Sequence, residues 1–425
     1  MPTETETSAK PERRERFRKY MQKLNPTAPA QTVIDLGLAV QDLHASLYKT
    51  LAARADLDPD SQQLLVGGIG SGKTTELLLA EKWLKEKQSV CLYIDISSET
   101  DLSGLNSGAL LAGFGNHLSR EFRLLGFEDS LSKDNVSELK TTREELKHFA
   151  FGKTETRFVP DYESDFPEPE DYDEEIPARG RYVTEETPGK LQRPFPALRR
   201  DIREIRKTLE FFVKAYRAAG MDTVVIFDGL DRLLTPEKFW SVVHQDLAAV
   251  RGLGVAVLAV APLSVLYGKG RSVTEYFDRV HHIPTVSVDP GKFTKLKTVL
   301  IQRGVGDLAQ SSEIEKIVKA SGGVLRDLIA LARDAGETAY LDSSEEIKAA
   351  HVKSAAKQLG ESYLRGLSAT QLRVLRKLAK EGAIDVSSEL GIELLVTRRV
   401  LEYSATDFRV HPALAPLIRI KENSG

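Results

Sequence analysis

The chain has 425 residues, enough for about two to three domains with a substantial core. Its apolar share of 41% and charged share of 28% are those of a soluble globular protein, and its net charge of −3 excludes a global pull toward nucleic acid or an anionic membrane. The one cysteine, Cys91, excludes an internal disulfide and a cysteine zinc cluster, no run of about 18 apolar residues marks a membrane span, and the polar N-terminus lacks the apolar core of a signal peptide, so a cytoplasmic protein is expected.

Residues 1–30 are charged and rich in Pro and Thr. Seven basic residues stand between Lys10 and Lys23. The stretch reads as a flexible charged tail with a short helix around Arg13–Leu24, or alternatively as a segment that docks on a partner or a nucleic-acid phosphate. From Val33 to Ala55, apolar residues including Leu36, Val40, Leu43, Leu47 and Leu51 recur at helical spacing, which predicts one helix.

Gln63-Leu64-Leu65-Val66 reads as a buried strand and Glu76 to Glu86 as a helix. Between them stand Gly67, Gly68, Ile69, Gly70, Ser71, Gly72, Lys73, Thr74 and Thr75. This stretch fits G-x-x-x-x-G-K-[ST], the phosphate-binding loop of nucleoside triphosphatases, in the strand, loop, helix context the motif requires. Glycines let several backbone N–H groups turn toward phosphate oxygens, and the helix N-terminus adds positive potential. Lys73 is expected at the β- and γ-phosphates of ATP, and the Thr74 hydroxyl on Mg²⁺.

Ser89 to Asp95 is a buried strand of the parallel-sheet kind, and helices follow at Leu105–Leu125 and Ser130–Phe151. Residues 152–196 break the pattern: Asp161 to Ile176 holds nine acidic residues among prolines, with Phe166 and Tyr172 as candidate anchors. The segment reads as an acidic insertion without helical or strand period. Phe195 to Gly220 is an amphipathic helix whose basic face (Arg199, Arg200, Arg203, Arg206, Lys207) is expected to be salt-bridged toward that insertion rather than bound to nucleic acid.

Thr223 to Asp228 is a second buried strand that runs into an acid. A carboxylate at the C-terminal edge of a strand, about 150 residues after a phosphate loop, is placed to hold Mg²⁺ through water. Asp228 is therefore the second candidate metal ligand, followed by Gly229 and then Asp231. Val255 to Val260 is a further strand, followed by Ala261-Pro262-Leu263-Ser264, and His282 to Val286 another. His281 and His282 would face opposite sides of a strand, so no metal beyond Mg²⁺ is expected.

From Pro290 onward helices dominate, at Phe293–Arg303, Ser312–Ala320, Gly323–Ala339 and Ser344–Leu359. Residues 367–425 read as a winged helix: helices over Ala369–Glu381 and Asp385–Leu395, then a hairpin from Arg399–Tyr403 and Phe408–Pro412. The recognition-helix region carries Asp385, Glu389 and Glu393 and no Lys or Arg, which would repel phosphate. A protein-docking or autoinhibitory role is expected of this module ahead of DNA reading. The resulting layout is a tail over 1–30, an ATPase core over 31–288, a helical lid over 289–362 and a winged-helix-like domain over 363–425.

Taken together, Gly67–Thr75, Val224–Asp231, Ala261-Pro262-Leu263-Ser264, Gly322–Asp327 and Val410-His411-Pro412 resemble AAA+ ATPases of the initiator-like (origin-recognition-like) branch and the related STAND-type switch ATPases. The resemblance implies an α/β fold: a parallel-sheet P-loop NTPase core, AAA+-like, with a helical lid and a C-terminal winged-helix domain. It further implies ATP and Mg²⁺ at the lid hinge, with nucleotide-driven conformational change or oligomerisation. It implies that Arg326 reaches the γ-phosphate, and it makes Arg271 and Arg279 candidates for an arginine finger toward a neighbouring copy, each being otherwise an ordinary surface arginine. Hydrolytic relatives carry Glu after the strand's Asp and a polar residue near Ser264. Here Gly229 stands at the first place, leaving Asp231 as the nearest acid to position water, and no Asn stands at the second. The expected function is a slow ATPase that acts as a nucleotide-dependent switch on a protein effector or a homo-oligomer. Bacterial proteins of this build, including phage-defence systems, are the analogy for that role. The alternatives are a DNA-binding ATPase using basic patches at residues 10–23, 199–207 and 373–380, and a non-hydrolysing ATP-dependent scaffold.

Overall fold

The computed structural model describes residues 4–41, 43–151, 156–160, 180–184, 199–233, 235–267, 273–289, 291 and 293–419. The strands in chain order are β1 (Gln62–Gly67), β2 (Val90–Asp95), β3 (Thr156–Pro160), β4 (Gly180–Thr184), β5 (Thr223–Asp228), β6 (Val255–Ala261), β7 (Arg279–Ile283), β8 (Val400–Ser404) and β9 (Asp407–Val410). Five of them form one sheet in the order β2-β5-β6-β1-β7, with every neighbouring pair parallel. The strands β1, β5 and β6 are buried along their whole length. The apolar runs of β5 and β6 are the signature of a parallel sheet covered on both faces, and in β1 the buried amides of Gln62 and Gln63 donate to the carbonyls of Leu247 and Leu51. Alternate residues supply the two faces. Leu65, Ile226 and Leu258 pack with Leu51, Leu77 and Leu84 on one side. Leu64, Val66 and Phe227 pack with Phe114, Phe212 and Phe239 on the other.

Four helices, Thr294–Gln302, Ser311–Ser321, Leu325–Leu341 and Ala349–Leu364, build a second core around Leu300, Ile317, Leu328 and Leu331. The C-terminal residues form helices Ala369–Glu381 and Glu389–Val396 and the antiparallel hairpin β8–β9. Leu375, Leu394, Val400 and Leu414 of this module join the same apolar cluster as one face of the sheet. No helix among the described residues is long and apolar enough to cross a membrane.

Three expectations are corrected. The N-terminal tail is a helix, Glu4–Lys23, docked on the lid. Phe17, Tyr20 and Leu24 enter the lid core, and the Tyr20 hydroxyl donates to the Ala332 carbonyl at 2.6 Å. The Arg13 guanidinium donates to the carbonyls of Tyr340 at 3.0 Å and Ser344 at 2.9 Å, at the end of the helix Leu325–Leu341. The high charge of the segment masked this apolar stripe. The single helix expected over Val33–Ala55 is two, Ala30–Asp35 and Leu47–Leu57. Gly37 at φ +66° ends the first, and left-handed Ala45 and Ser46 start the second. The acidic insertion contains a hairpin, β3–β4, where no strand period was read; Phe166, Tyr172 and the rest of 161–179 lie outside the described residues.

Candidate nucleotide site

Gly67 closes β1 and leads into a turn that only glycine can make. A side chain at Gly67 would stand 2.8 Å from the Ile283 carbonyl and 2.8 Å from Ser71 Oγ. Gly70 and Gly72 have φ of +79° and +98°, and Gly72 caps the helix Lys73–Glu86. Lys73 is 5% exposed, and its ammonium donates to the carbonyls of Gly67 at 2.9 Å and Gly68 at 3.0 Å. Its third neighbour is Asp231 Oδ2 at 2.9 Å. Ser71 Oγ is buried without a hydrogen-bond partner among the described residues. The orphaned Ser71 hydroxyl suits a phosphate, which supplies the partner it lacks, and Lys73, whose three donors are already used, can exchange its Asp231 contact for one.

Asp228 sits at the C-terminal end of β5, two strands from the loop. Its Oδ2 accepts from the Tyr93 hydroxyl at 2.7 Å, and its Oδ1 accepts from the Gly229 N–H at 2.7 Å. The Thr74 hydroxyl is a further hydrogen-bond partner. Burial pushes the Asp228 carboxyl above the usual carboxylate range, with Asp231 adding to the push and the hydrogen bonds from Tyr93, Thr74 and Gly229 opposing it. A buried carboxylate raised in this way favours a nearby cation. Thr74 and Asp228, already in contact, suit Mg²⁺, which takes few protein ligands and keeps waters and phosphate oxygens for the rest.

Gly229 has φ +81°, and a side chain there would begin 2.6 Å from Asp95 Oδ1 and 2.9 Å from the Ser97 nitrogen. No Glu fits at this position. The strands β2 and β5 run in register with Asp95 opposite Asp228, so the two carboxylates end neighbouring strands.

The lid meets the loop directly. The Leu325 N–H donates to the Gly70 carbonyl at 3.2 Å, and a Cβ on Gly70 would stand 3.1 Å from Arg326 Cβ. Arg326 itself is exposed. Gly322 and Gly323, both left-handed, precede it. A side chain at Gly323 would begin 1.8 Å from the Val286 carbonyl oxygen, and one at Gly322 would stand 2.4 Å from Leu401 of β8. His44 covers the other side of the loop, with Nε2 2.7 Å from the Ser71 carbonyl; burial holds its pKa below the ordinary value.

Sequence reasoning missed a polar cluster where the C-terminal module closes on the lid. Asp327 accepts from the Tyr363 hydroxyl at 2.6 Å and the Arg398 guanidinium at 2.8 Å, and His411 Nε2 lies 3.2 Å away. Burial alone would raise the Asp327 carboxyl, yet the His411 hydrogen bond and the Arg398 charge hold it below its ordinary value. Arg398 is a non-glycine residue at φ +60°, and it lines a narrow cavity with Gly68, Ile69, Gly70, Ser71 and Glu402. On the core side, Glu402 bonds the Tyr267 hydroxyl and faces His282 Nε2 at 3.2 Å. Only the "Val-His-Pro" run at 410–412 hinted at this contact.

Other candidates are less assembled. Ser264 Oγ is buried without a partner among the described residues. Arg279 begins β7, opposite Gln63, at the end of the sheet away from the loop. Arg271 lies outside the described residues. His281 donates to or accepts from Gln63 Oε1 at 3.0 Å, and burial, with the Arg279 and Arg54 charges, takes its pKa down to about 4. In the basic patches, Arg206 donates to the carbonyls of Ala249 and Arg251, and Arg376 to that of Ile418, so part of that charge serves the fold.

No protein-family model and no curated protein matches the chain. Solved structures do. The Aeropyrum pernix ORC2 protein, in ADPNP–ADP complexes, is 14% identical over 88% of this chain and 90% of its own, with a TM-score of 0.41. Cdc6p from Pyrobaculum aerophilum is 13% identical over 90% and 94%, with a TM-score of 0.39. Drosophila ORC bound to DNA is 14% identical over 94% and 91%, with a TM-score of 0.43. Proteins of the origin-recognition kind, which the motifs resemble, are thus among the structures to which the chain is similar.

Proposed function

We propose that the chain is an AAA+-like ATPase that works as a nucleotide-dependent switch. In this reading the loop Gly67–Thr75 grips the phosphates, Lys73 leaves Asp231 for the β- and γ-phosphates, and Thr74 with Asp228 holds Mg²⁺. Bound Mg²⁺ would neutralise charge on the phosphates. Arg326, at the first turn of the helix Leu325–Leu341, would follow the γ-phosphate. The winged-helix-like module would carry the state to a protein partner or a second copy.

One observation supports the switch over a plain hydrolase. The phosphate loop, the lid and the C-terminal module line a single narrow cavity, through Gly70, Val324 and Arg398. A nucleotide shifts such an arrangement as far as it prefers one lid position over another. The test is nucleotide binding with sizing in ATP and in ADP. Lys73→Ala should weaken ATP binding by about 10-fold or more, the cost of losing a charged hydrogen bond. ATP and ADP should give different hydrodynamic sizes. Unchanged affinity in Lys73→Ala would sink the reading. Binding of DNA at low salt, lost on neutralising Arg373 and Lys377, would move the function toward the DNA-binding alternative.

A further inference from the structure

If the site hydrolyses ATP, some group must take a proton from the attacking water. The residue after Asp228 cannot do so, because Gly229 has no side chain and no room for one. The space where a side chain at 229 would begin is held by the carboxylate of Asp95, whose Oδ1 lies 2.6 Å from that point. Asp95 ends β2 directly opposite Asp228, at the same edge of the sheet. Its Oδ1 accepts from the Ser97 N–H at 3.0 Å and the Ser97 hydroxyl at 2.6 Å, which fixes the carboxylate plane. Among the described residues Oδ2 has no hydrogen-bond partner, and the side chain is half-buried. Asp231, the other acid nearby, lies 2.9 Å from the Lys73 ammonium and becomes the rival base once a phosphate draws Lys73 away, so Asp231→Asn is measured beside Asp95→Asn and should keep its turnover within about threefold.

We propose that Asp95 is the water-polarising carboxylate of this site, supplied from the neighbouring strand in place of a residue at 229. The proposal rests on the ATPase reading above. In the step, the water oxygen bonds to the γ-phosphorus as the bond from that phosphorus to the β–γ bridging oxygen breaks. The bridging oxygen keeps the electron pair and leaves with ADP. The water proton passes to Asp95 and from there to bulk solvent. The steric block at Gly229 and the carboxylate at Asp95 are two sides of one packing arrangement: the contact that excludes a glutamate is made by the acid that replaces it.

The plain alternative is that Asp95 only caps the short helix Ile96–Glu99. Asn caps as well as Asp, so Asp95→Asn keeps the cap and removes the base. The full-length protein is loaded with ATP and Mg²⁺, and ATP affinity, turnover and the identity of the retained nucleotide are measured. Asp95→Asn should bind ATP within about threefold of the wild type and lose about 100-fold or more in turnover, the scale of a general base. It should retain ATP where the wild type retains ADP. Turnover within about threefold of the wild type would overturn the proposal, as would a wild type that binds ATP and never cleaves it. Loss of ATP affinity in Asp95→Asn would make the residue structural and also overturn it. A wild type that fails to bind ATP would instead remove the ATPase reading, and this proposal with it.

Discussion

The Lys73 ammonium is held 2.9 Å from the Asp231 carboxylate, so the cation of the first motif is neutralised by an acid of the second. Both groups are largely buried, at 5% and 18% exposure, and the pair is screened little by solvent. A phosphate must displace Asp231 to reach Lys73. Asp231→Asn should therefore tighten ATP binding by about threefold to tenfold, since a partly buried pair is worth on the order of 1 kcal/mol. Isothermal titration checks this, and weaker binding in the variant would contradict it.

Gly229 joins β5 to the turn that carries Asp231. Gly229→Ala places a side chain at φ +81° and into Asp95 and Ser97. Strain of this kind costs about 1–3 kcal/mol before the clash is counted. The variant should lower the denaturant midpoint visibly, and Gly229→Glu should do so without raising turnover. A stable, faster Gly229→Glu enzyme would contradict the geometry.

Asp327 ties the lid to the C-terminal module through Tyr363, Arg398 and His411. Its folded pKa is depressed, so the stability it contributes is present above the unfolded carboxylate value near 3.9 and is lost as pH falls through the lower folded value. Asp327→Asn leaves Arg398 without its counter-charge and should cost about 3 kcal/mol at neutral pH. The gap between wild type and variant should narrow below about pH 4. Urea titrations at neutral and acid pH measure both.

Tyr20 fills a notch over Gly336, where a side chain would begin 2.4 Å from its ring. Tyr20→Ala should destabilise the lid by about 3–4 kcal/mol, as for other buried aromatics, and Tyr20→Phe by about 1 kcal/mol for the lost hydroxyl bond. Hydrogen exchange in Leu325–Leu341 would report the loss locally. No change in exchange there would mean that the N-terminal helix does not brace the lid.

The parts of the fold legible in the sequence were those with a short-range cause. Val224 to Phe227 and Val255 to Val260 are apolar throughout because both faces are covered, and a run of that kind needs no partner to be recognised. The loop was legible because its glycines and Lys73 are adjacent in the chain. The docking of Phe17 and Tyr20 was not, since the apolar residues they meet lie about 300 positions away. Arg398 was unreadable for the same reason: its partner Asp327 is brought to it only by the packing of the last two modules. Gly229 could be read as an absent side chain, while its cause, the carboxylate on the neighbouring strand, needed the register of β2 on β5.

Gly322 and Gly323 form a joint without padding. One abuts the backbone leaving β7, the other abuts Leu401 and Pro412 of the C-terminal module. Gly323 meets backbone, which does not yield, while Gly322 meets the Leu401 methyl and the Pro412 ring. A side chain at either place must push the chain leaving β7 or the C-terminal module away from the lid helix, so these two bare positions set how closely three segments approach one another.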